Sequence, residues 1–259
     1  MSHYIEIVLM KKAYEALAKN PANYIPLTPI SFLQRTADIY GEREAIIYGD
    51  RSYSWGQCNE RCLQMASSLT ELGISKGDTV AVLAFNTPEM FEAHFFVPMT
   101  GAVLNTINTR LDAETLAYIL DFGEVKAMVV DRELLPLAQS ALQKTKSNPI
   151  LILVDDETAV DKPDVELEVI HYEELLNSGD PKFSYPPLDD EWQALSLNYT
   201  SGTTGKPKGV VYHHRGAYLM SMGTASGWEL TNHPRYLYSV PMFHCNGWGH
   251  AWTMTLLAA

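Results

Sequence analysis

The spacing of hydrophobic residues along the chain changes repeatedly between the period of a helix and that of a buried strand. Apolar side chains in residues 56–72 recur every three or four positions, which predicts an amphipathic helix that ends at Gly73. Residues 79–84 are almost continuously apolar, as in a strand that is buried on both faces. Thr87 and Pro88 then predict the beginning of another helix. This alternation predicts an α/β fold in which a mainly parallel sheet is flanked by helices.

The same pattern continues through most of the chain. The further predicted strands are 45–48, 52–54, 102–106, 126–130, 149–154, 194–199 and 210–212, and the further predicted helices are 28–40, 112–120 and 133–144. Residues 155–190 are acidic and contain prolines, and we interpret them as a surface excursion. This excursion ends a first α/β lobe with an N-terminal helical extension, residues 1–190. Residues 191–259 are then predicted to begin a second α/β lobe.

Composition narrows the class of protein. Hydrophobic residues make up 46% and charged residues 19% of the 259 residues, which is typical of an ordinary globular protein. The formal net charge of −12, without a basic stripe, argues against a nucleic-acid partner. Residues 1–12 lack the pattern of a secretory signal, and no apolar window reaches the length of a membrane span. We therefore expect a cytoplasmic protein, or a peroxisomal one in a eukaryote, that is not an integral membrane protein.

The cysteines and the end of the chain add two expectations. Cys58, Cys62 and Cys245 provide no extracellular disulfide framework, and the first two share a helix face, where small buried apolar residues are expected. Residues 249–259 form an apolar, helix-competent run without a capping residue, whereas chain ends are usually polar and exposed. This ending predicts that the chain is an N-terminal fragment of a longer protein.

Residues 197–209, LNYTSGTTGKPKG, are the segment most informative about chemistry. They place glycines, hydroxyl residues, Lys206 and Lys208 between two predicted strands. Glycines let backbone N–H groups approach a ligand, successive turn amides bind anions, and hydroxyls and lysines add hydrogen bonds and charge. The segment therefore predicts a polyphosphate-binding loop. It is not a Walker loop, because its glycine spacing differs and Pro207 follows Lys206. A flexible polar linker without a ligand is the alternative interpretation.

Residues 200–209 resemble the phosphate-binding signature of the adenylate-forming superfamily, which contains acyl-CoA synthetases, luciferases and the adenylation domains of peptide synthetases. Residues 53–55, 101–108 and 241–248 resemble three further motifs of that superfamily. Residues 214–218 and 244–248 are most similar to acyl-activating enzymes that join fatty or aromatic acids to coenzyme A. The resemblance implies that this chain is the N-terminal part of the large domain of such an enzyme.

The resemblance also implies a set of site residues. His244 and Lys208 are the expected catalytic residues, and Thr200 is expected to help hold Mg²⁺ through its hydroxyl. The acyl substrate is expected at His244, Gly247 and Trp248. The implied ATP-binding residues are Thr200, Ser201, Gly202, Thr203, Thr204, Gly205 and Lys208. ATP and Mg²⁺ are the implied cofactors, with coenzyme A as co-substrate and a homodimer as the expected assembly of the full-length protein.

Several of these residues have alternative interpretations. His244 taken alone is more readily a core histidine, and a zinc site formed with Cys245 and His250 fits no common ligand spacing. Met222 and Trp228 are equally compatible with an acyl pocket and with the general core. His213 stands where the family usually has a hydroxyl residue, and we interpret it as part of a helix start.

These observations predict ATP-dependent activation of a fatty or aromatic acid to an acyl-adenylate, followed by transfer to coenzyme A. Such an enzyme is an AMP-forming acid–thiol ligase, and this chain alone is expected to be inactive. One alternative is an adenylating enzyme that passes its acyl group to another acceptor. The other is a truncated nucleotide-binding module without turnover.

Overall fold

The computed structural model describes residues 18–200 and 205–259. The strands are β1 (Glu44–Tyr48), β2 (Arg51–Ser54), β3 (Thr79–Leu83), β4 (Val103–Thr106), β5 (Val125–Asp131), β6 (Ile150–Val154), β7 (Ile170–His171), β8 (Ala194–Thr200) and β9 (Lys208–His213). The helices are α1 (Ile30–Tyr40), α2 (Trp55–Glu71), α3 (Pro88–Met99), α4 (Ala113–Phe122), α5 (Leu135–Leu142), α6 (Tyr172–Ser178), α7 (His214–Gly227) and α8 (His250–Leu256).

A seven-stranded sheet with the order β7-β6-β5-β3-β4-β8-β9 forms the centre of the described chain. Its strands pair in parallel except for β8 and β9, which are antiparallel. All five residues of β3 are buried, because helices cover both faces of the sheet. The α/β fold with a mainly parallel sheet is thereby confirmed. Within the described residues, no helix combines the length and the apolar character needed to cross a bilayer.

Polar side chains determine where several helices begin. Ser54 accepts a hydrogen bond from the backbone of Gln57, whose side chain bonds back to Ser54 in a capping box. Thr87 and Asp112 cap α3 and α4 in the same manner, by accepting hydrogen bonds from backbone N–H groups three residues on. The helix starts predicted at Thr87 and Asp112 are therefore confirmed, and α2 begins one residue before its predicted range of 56–72.

The interpretation of residues 155–190 as a surface excursion is wrong for part of that segment. Strand β7 extends the sheet beside β6, and α6 packs against α2 with Tyr172, Leu175 and Leu176 buried. Those three side chains follow the helical spacing of an apolar stripe, but the surrounding acidic residues obscured it. The predicted boundary at residue 190 also does not separate two sheets, because β8 pairs with β4 of the preceding region.

His213 begins helix α7, as predicted. Its Nδ1 accepts a hydrogen bond of 2.8 Å from the backbone N–H of Gly216, and its ring stacks on Trp192 at 4.1 Å between centroids. A Cβ atom at Gly216 would lie 2.9 Å from the imidazole. The histidine cap therefore requires a glycine three residues later.

We expect the variant His213→Ala to lower the unfolding free energy of the chain by about 0.5–2 kcal/mol, because the first turn of α7 loses its side-chain acceptor. His213→Ser supplies a hydroxyl acceptor and should recover most of this loss. Urea denaturation of the two variants measures the difference. Equal stability of the alanine and serine variants would show that the cap contributes nothing.

Candidate functional site

Strand β8 presents a polar face that leads to the predicted phosphate loop. Ser196, Asn198 and Thr200 alternate with Leu197 and Tyr199, so the three polar side chains lie on one face of the sheet. Ser196 and Asn198 are buried, whereas Thr200 at the carboxyl end is exposed. Ligands of open α/β sheets bind at the carboxyl ends of the parallel strands, which is the edge where Thr200 lies.

Thr200 and Lys208 form the base of the predicted loop. They are directly opposite each other in the antiparallel pair of β8 and β9, which places both side chains on the same face. Both residues are exposed, as is Gly205. Ser201, Gly202, Thr203 and Thr204 lie outside the described residues, so their predicted phosphate contacts stay predictions. The base of the loop thus offers one hydroxyl and one ammonium group on a common face.

Lys206 occupies a different position from Lys208. Its Nζ lies 4.9 Å from the centroid of the Tyr118 ring on α4, in a cation–π contact. The Tyr118 ring stacks on Phe122. The two loop lysines therefore have different surroundings, and Lys208 is the one that faces Thr200 across the ladder.

The segment after Phe243 forms a left-handed turn. Residues 245–249 all have positive φ, between 48° and 66°, and three of them are not glycine. Left-handed backbone costs roughly 1–2 kcal/mol for each residue with a side chain, so the surrounding structure must hold this turn in place. A Cβ atom at Gly247 would lie 2.2 Å from the Tyr238 hydroxyl, and one at Gly249 would lie 1.9 Å from the Met220 methyl. A side chain at Gly247 would therefore have to displace the Tyr238 ring, and one at Gly249 would have to displace the end of the Met220 side chain.

Buried hydrogen bonds attach this turn to the polar face of β8. The fully buried Asn246 Oδ1 accepts bonds from Ser196 Oγ at 2.8 Å and from Asn198 Nδ2 at 2.7 Å. Thr106, at the end of β4, donates to the carbonyl oxygen of Phe243 at 2.9 Å and lies 3.2 Å from Asn198 Oδ1. The turn therefore packs on the same face of the sheet that carries Thr200 and Lys208.

His244 lies between these two attachments and is exposed. Its ring centroid is 6.4 Å from that of Trp248, in an edge-to-face arrangement, and Trp248 is 59% exposed. The interpretation of His244 as a core histidine is therefore wrong. An exposed imidazole on a fixed turn is available to donate a hydrogen bond to a bound substrate.

An apolar cavity of about 340 Å³ opens beside the turn. Its lining includes Val211, Tyr212, Ala217, Met220, Cys245 and Trp248. Gly247 is not in the lining and packs under the Tyr238 hydroxyl. Met222 and Trp228 are exposed, so neither belongs to the core of the described chain. A cavity of this size and character suits a small apolar acyl group.

The groups at the base of the loop fit a nucleotide and its metal ion. A hydroxyl oxygen such as that of Thr200 is the kind of ligand that Mg²⁺ accepts, and Mg²⁺ usually takes few protein ligands because phosphates and waters supply the others. Lys208 provides positive charge beside the expected phosphates in a protein whose net charge is −12. Thr200 and Lys208 can therefore hold the polyphosphate end of ATP.

Sequence reasoning did not identify the buried supports of the site. Ser196 bonds to Asn246, and Thr106 bonds to Phe243 and Asn198, only because folding brings distant parts of the sequence together. The alternation of polar and apolar residues along β8 was the available signal, since Ser196 and Asn198 alternate with Leu195, Leu197 and Tyr199.

Comparisons with known proteins agree with the motifs. The model of the AMP-binding enzyme family matches residues 33–259. An acetate–CoA ligase of Humulus lupulus is 47% identical over 248 residues, which are 92% of this chain and 44% of that protein. A peroxisomal trans-cinnamate:CoA ligase of Petunia hybrida is 47% identical over 255 residues, with the same two coverages of 92% and 44%. The chain thus spans less than half the length of these relatives.

Solved structures agree on the fold. An anthranilate–CoA ligase in complex with anthranoyl-AMP superposes with a TM-score of 0.77 at 22% identity, over 93% of this chain and 46% of that one. A red-emitting luciferase of Phrixothrix hirtus superposes with a TM-score of 0.78 at 20% identity, over 93% of this chain and 47% of the luciferase. The family model accounts for most of the chain, from α1 to its last residue, and the chain therefore belongs to the AMP-binding enzyme family.

Proposed function

We propose that this chain is the N-terminal part of an AMP-forming acid–CoA ligase. The observation that carries the proposal is the common face of the sheet. Thr200 and Lys208 at the base of the loop share this face with the fixed turn that presents His244. The transfer of adenylate to a carboxylate needs groups that bind the polyphosphate and a hydrogen-bond donor near the reacting atoms. Thr200, Lys208 and the exposed His244 imidazole provide such groups on one face.

The proposed reaction has two steps. A carboxylate oxygen of the acid attacks the α-phosphorus of ATP, and the bond to pyrophosphate breaks, which gives the acyl-adenylate. The thiol of coenzyme A then attacks the acyl carbon, and AMP leaves with the oxygen that joined it to the acyl group. Mg²⁺, when bound, neutralises phosphate charge and aligns the leaving pyrophosphate.

Each residue of the site has a defined role in the first step. Lys208 stabilises the negative charge that accumulates on the departing pyrophosphate. The Thr200 hydroxyl would be a ligand of the Mg²⁺ ion. His244 donates a hydrogen bond to the oxygens at the reacting phosphorus and carboxylate. We propose that the adenine contacts and the coenzyme A surface belong to the part of the enzyme beyond this chain, so that the 259-residue chain alone has no turnover.

The substrate we propose is a short-chain or an aromatic acid. The relatives described above are named for acetate and trans-cinnamate, and an apolar cavity of about 340 Å³ lies beside Trp248. A relative with 44% identity is a peroxisomal acetate/butyrate–CoA ligase of Arabidopsis thaliana, which supports a peroxisomal site of action as a further proposal. We propose a homodimer as the assembly of the full-length protein.

The test incubates the full-length protein with ATP, Mg²⁺ and a panel of short-chain and aromatic acids, with and without coenzyme A. We expect acid-dependent release of pyrophosphate and formation of the matching CoA thioester. Pyrophosphate release without thioester would favour transfer to another acceptor. Nucleotide binding without pyrophosphate release would leave only a binding module.

Trp248 provides a prediction about acid preference. The Trp248 indole lines the apolar cavity, so Trp248→Ala should lengthen the cavity without altering Thr200 or Lys208. Each buried methylene contributes about 0.8 kcal/mol, so the kcat/KM of longer acids should rise relative to that of acetate. The matched control is Trp228→Ala, because Trp228 is 60% exposed and lies outside the cavity. An equal fall for every acid in the Trp248 variant would remove this residue from the pocket.

A further inference from the structure

The left-handed turn at residues 245–249 is held by side chains that do not reach the expected substrates. Asn246 is fully buried, and its side-chain oxygen Oδ1 accepts two hydrogen bonds from the polar face of β8. Phe243, on the other side of His244, is held through its backbone carbonyl by Thr106. The backbone of His244 is therefore fixed from both directions, while its ring is exposed.

The backbone conformation of Asn246 explains how its buried side chain can influence the position of His244. Asn246 has φ 52° and ψ 41°, and the residues on either side of it are also left-handed. Asparagine adopts the left-handed conformation more readily than most residues, but this property alone does not favour the left-handed over the right-handed conformation. The hydrogen bonds from Ser196 and Asn198 to Asn246 Oδ1 are made in the left-handed conformation, and they therefore favour it.

We propose that Asn246 is a positioning residue that acts through His244. Its anchor on Ser196 and Asn198 fixes the turn, and the turn fixes where the His244 imidazole meets the reacting carboxylate and phosphate. This inference rests on the proposed function, since it assigns Asn246 a part in the adenylation step. The Asn246 side chain is fully buried and has no exposed surface for either substrate.

Two variants separate the side-chain anchor from the backbone preference. Asn246→Gly removes the anchor but adopts the left-handed conformation without strain, whereas Asn246→Ala removes both advantages. We expect the glycine variant of the full-length protein to lose roughly tenfold to one hundredfold in the maximal rate of acid-dependent pyrophosphate exchange. The KM for ATP should stay near the wild-type value, because Thr200 and Lys208 are held by the pairing of β8 and β9.

A double-variant cycle with His244→Ala tests whether Asn246 acts through His244. We expect the double variant Asn246→Gly, His244→Ala to be no slower than His244→Ala alone, since a misplaced imidazole costs nothing once the imidazole is absent. Ser196→Ala, a smaller change that removes one of the two anchors, should give a weaker loss with the same lack of additivity. Thermal unfolding of each variant identifies those that remain folded. If Asn246→Gly does not fold, the cycle is measured with Ser196→Ala and His244→Ala instead.

The outcomes distinguish this inference from the proposed function. Losses that add in the double variant, or a glycine variant with the wild-type rate, would overturn the positioning role while leaving adenylation intact. A wild-type protein without exchange for any acid in the panel would overturn both. Non-additive losses with an unchanged KM for ATP would support the assignment of Asn246.

Discussion

Replacement of Lys208 by alanine is expected to reduce acid-dependent pyrophosphate exchange by the full-length protein roughly tenfold to one hundredfold, because a charge-assisted contact contributes about 1.5–3 kcal/mol. Lys208 begins β9 directly opposite Thr200, and we propose that its ammonium group contacts the polyphosphate of ATP. The loss should appear in the rate of exchange more than in stability, since Lys208 is exposed and contributes no buried surface.

Lys206 is the matched control for this variant. It belongs to the same loop and has the same charge, but its Nζ lies over the Tyr118 ring. Lys206→Ala should therefore reduce exchange less than Lys208→Ala does. Equal losses would mean that the loop acts through its total charge. A larger loss for Lys206 would contradict the assignment of Lys208.

Replacement of Arg61 by alanine is expected to lower the unfolding free energy of the chain by about 3–5 kcal/mol, because it leaves a buried carboxylate without its partner. Glu92 on α3 has a fully buried side chain, and Arg61 Nη2 donates to its Oε2 at 3.2 Å while Tyr172 donates to the same oxygen at 2.7 Å. Arg61 also pairs with Glu173 of α6 at 2.7 Å. This network joins α2, α3 and α6 on one side of the sheet.

The effect of Arg61→Ala should depend on pH. Burial raises the pKa of Glu92 to about 7 even with Arg61 present, and loss of Arg61 raises this pKa further. A carboxyl group whose pKa is raised in the folded state loses stability as the pH rises through that value. The difference between the variant and the wild type should therefore be larger at a pH of about 8.5 than at about 6, as measured by urea denaturation.

Lys76→Ala is the control for this prediction. Lys76 pairs with Asp189 at 2.8 Å, but the two side chains are 59% and 73% exposed. An exposed pair of this kind contributes at most about 1 kcal/mol. Equal losses of unfolding free energy in the two variants would contradict the claim that burial makes the Arg61–Glu92 pair important for stability. A loss for Arg61→Ala that does not change with pH would contradict it as well.

Much of the fold was predictable because it depends on local signals. Ser54, Thr87 and Asp112 cap helices with hydrogen bonds that span only three residues, and β3 is apolar throughout because both of its faces are covered. Short-range spacing therefore located these elements within one or two residues. Helix α6 was missed because its apolar residues lie in an acidic segment and are buried only by packing against α2.

The candidate site was predictable only in its chemistry. The phosphate-binding role of the loop residues was proposed from their types and spacing, since glycine, hydroxyl and lysine groups each favour binding of an anion, and it stays a prediction. The left-handed turn could not be anticipated, because Cys245, Asn246 and Trp248 have no intrinsic preference strong enough to impose it. It depends on hydrogen bonds from Ser196 and Thr106, which are 50 and 137 residues away from their partners in the sequence.

The central claim, that a carboxylate oxygen attacks the α-phosphorus of ATP, is tested most directly with isotope labelling. The full-length protein is supplied with ATP, Mg²⁺, coenzyme A and an acid of the panel that carries ¹⁸O in its carboxylate, and the products are analysed by mass spectrometry. With both carboxylate oxygens labelled, the account predicts one ¹⁸O atom in each AMP, because the oxygen that forms the acyl–phosphate bond leaves with AMP when the thiol attacks. Label in inorganic phosphate with ADP as the nucleotide product, or unlabelled AMP, would contradict it.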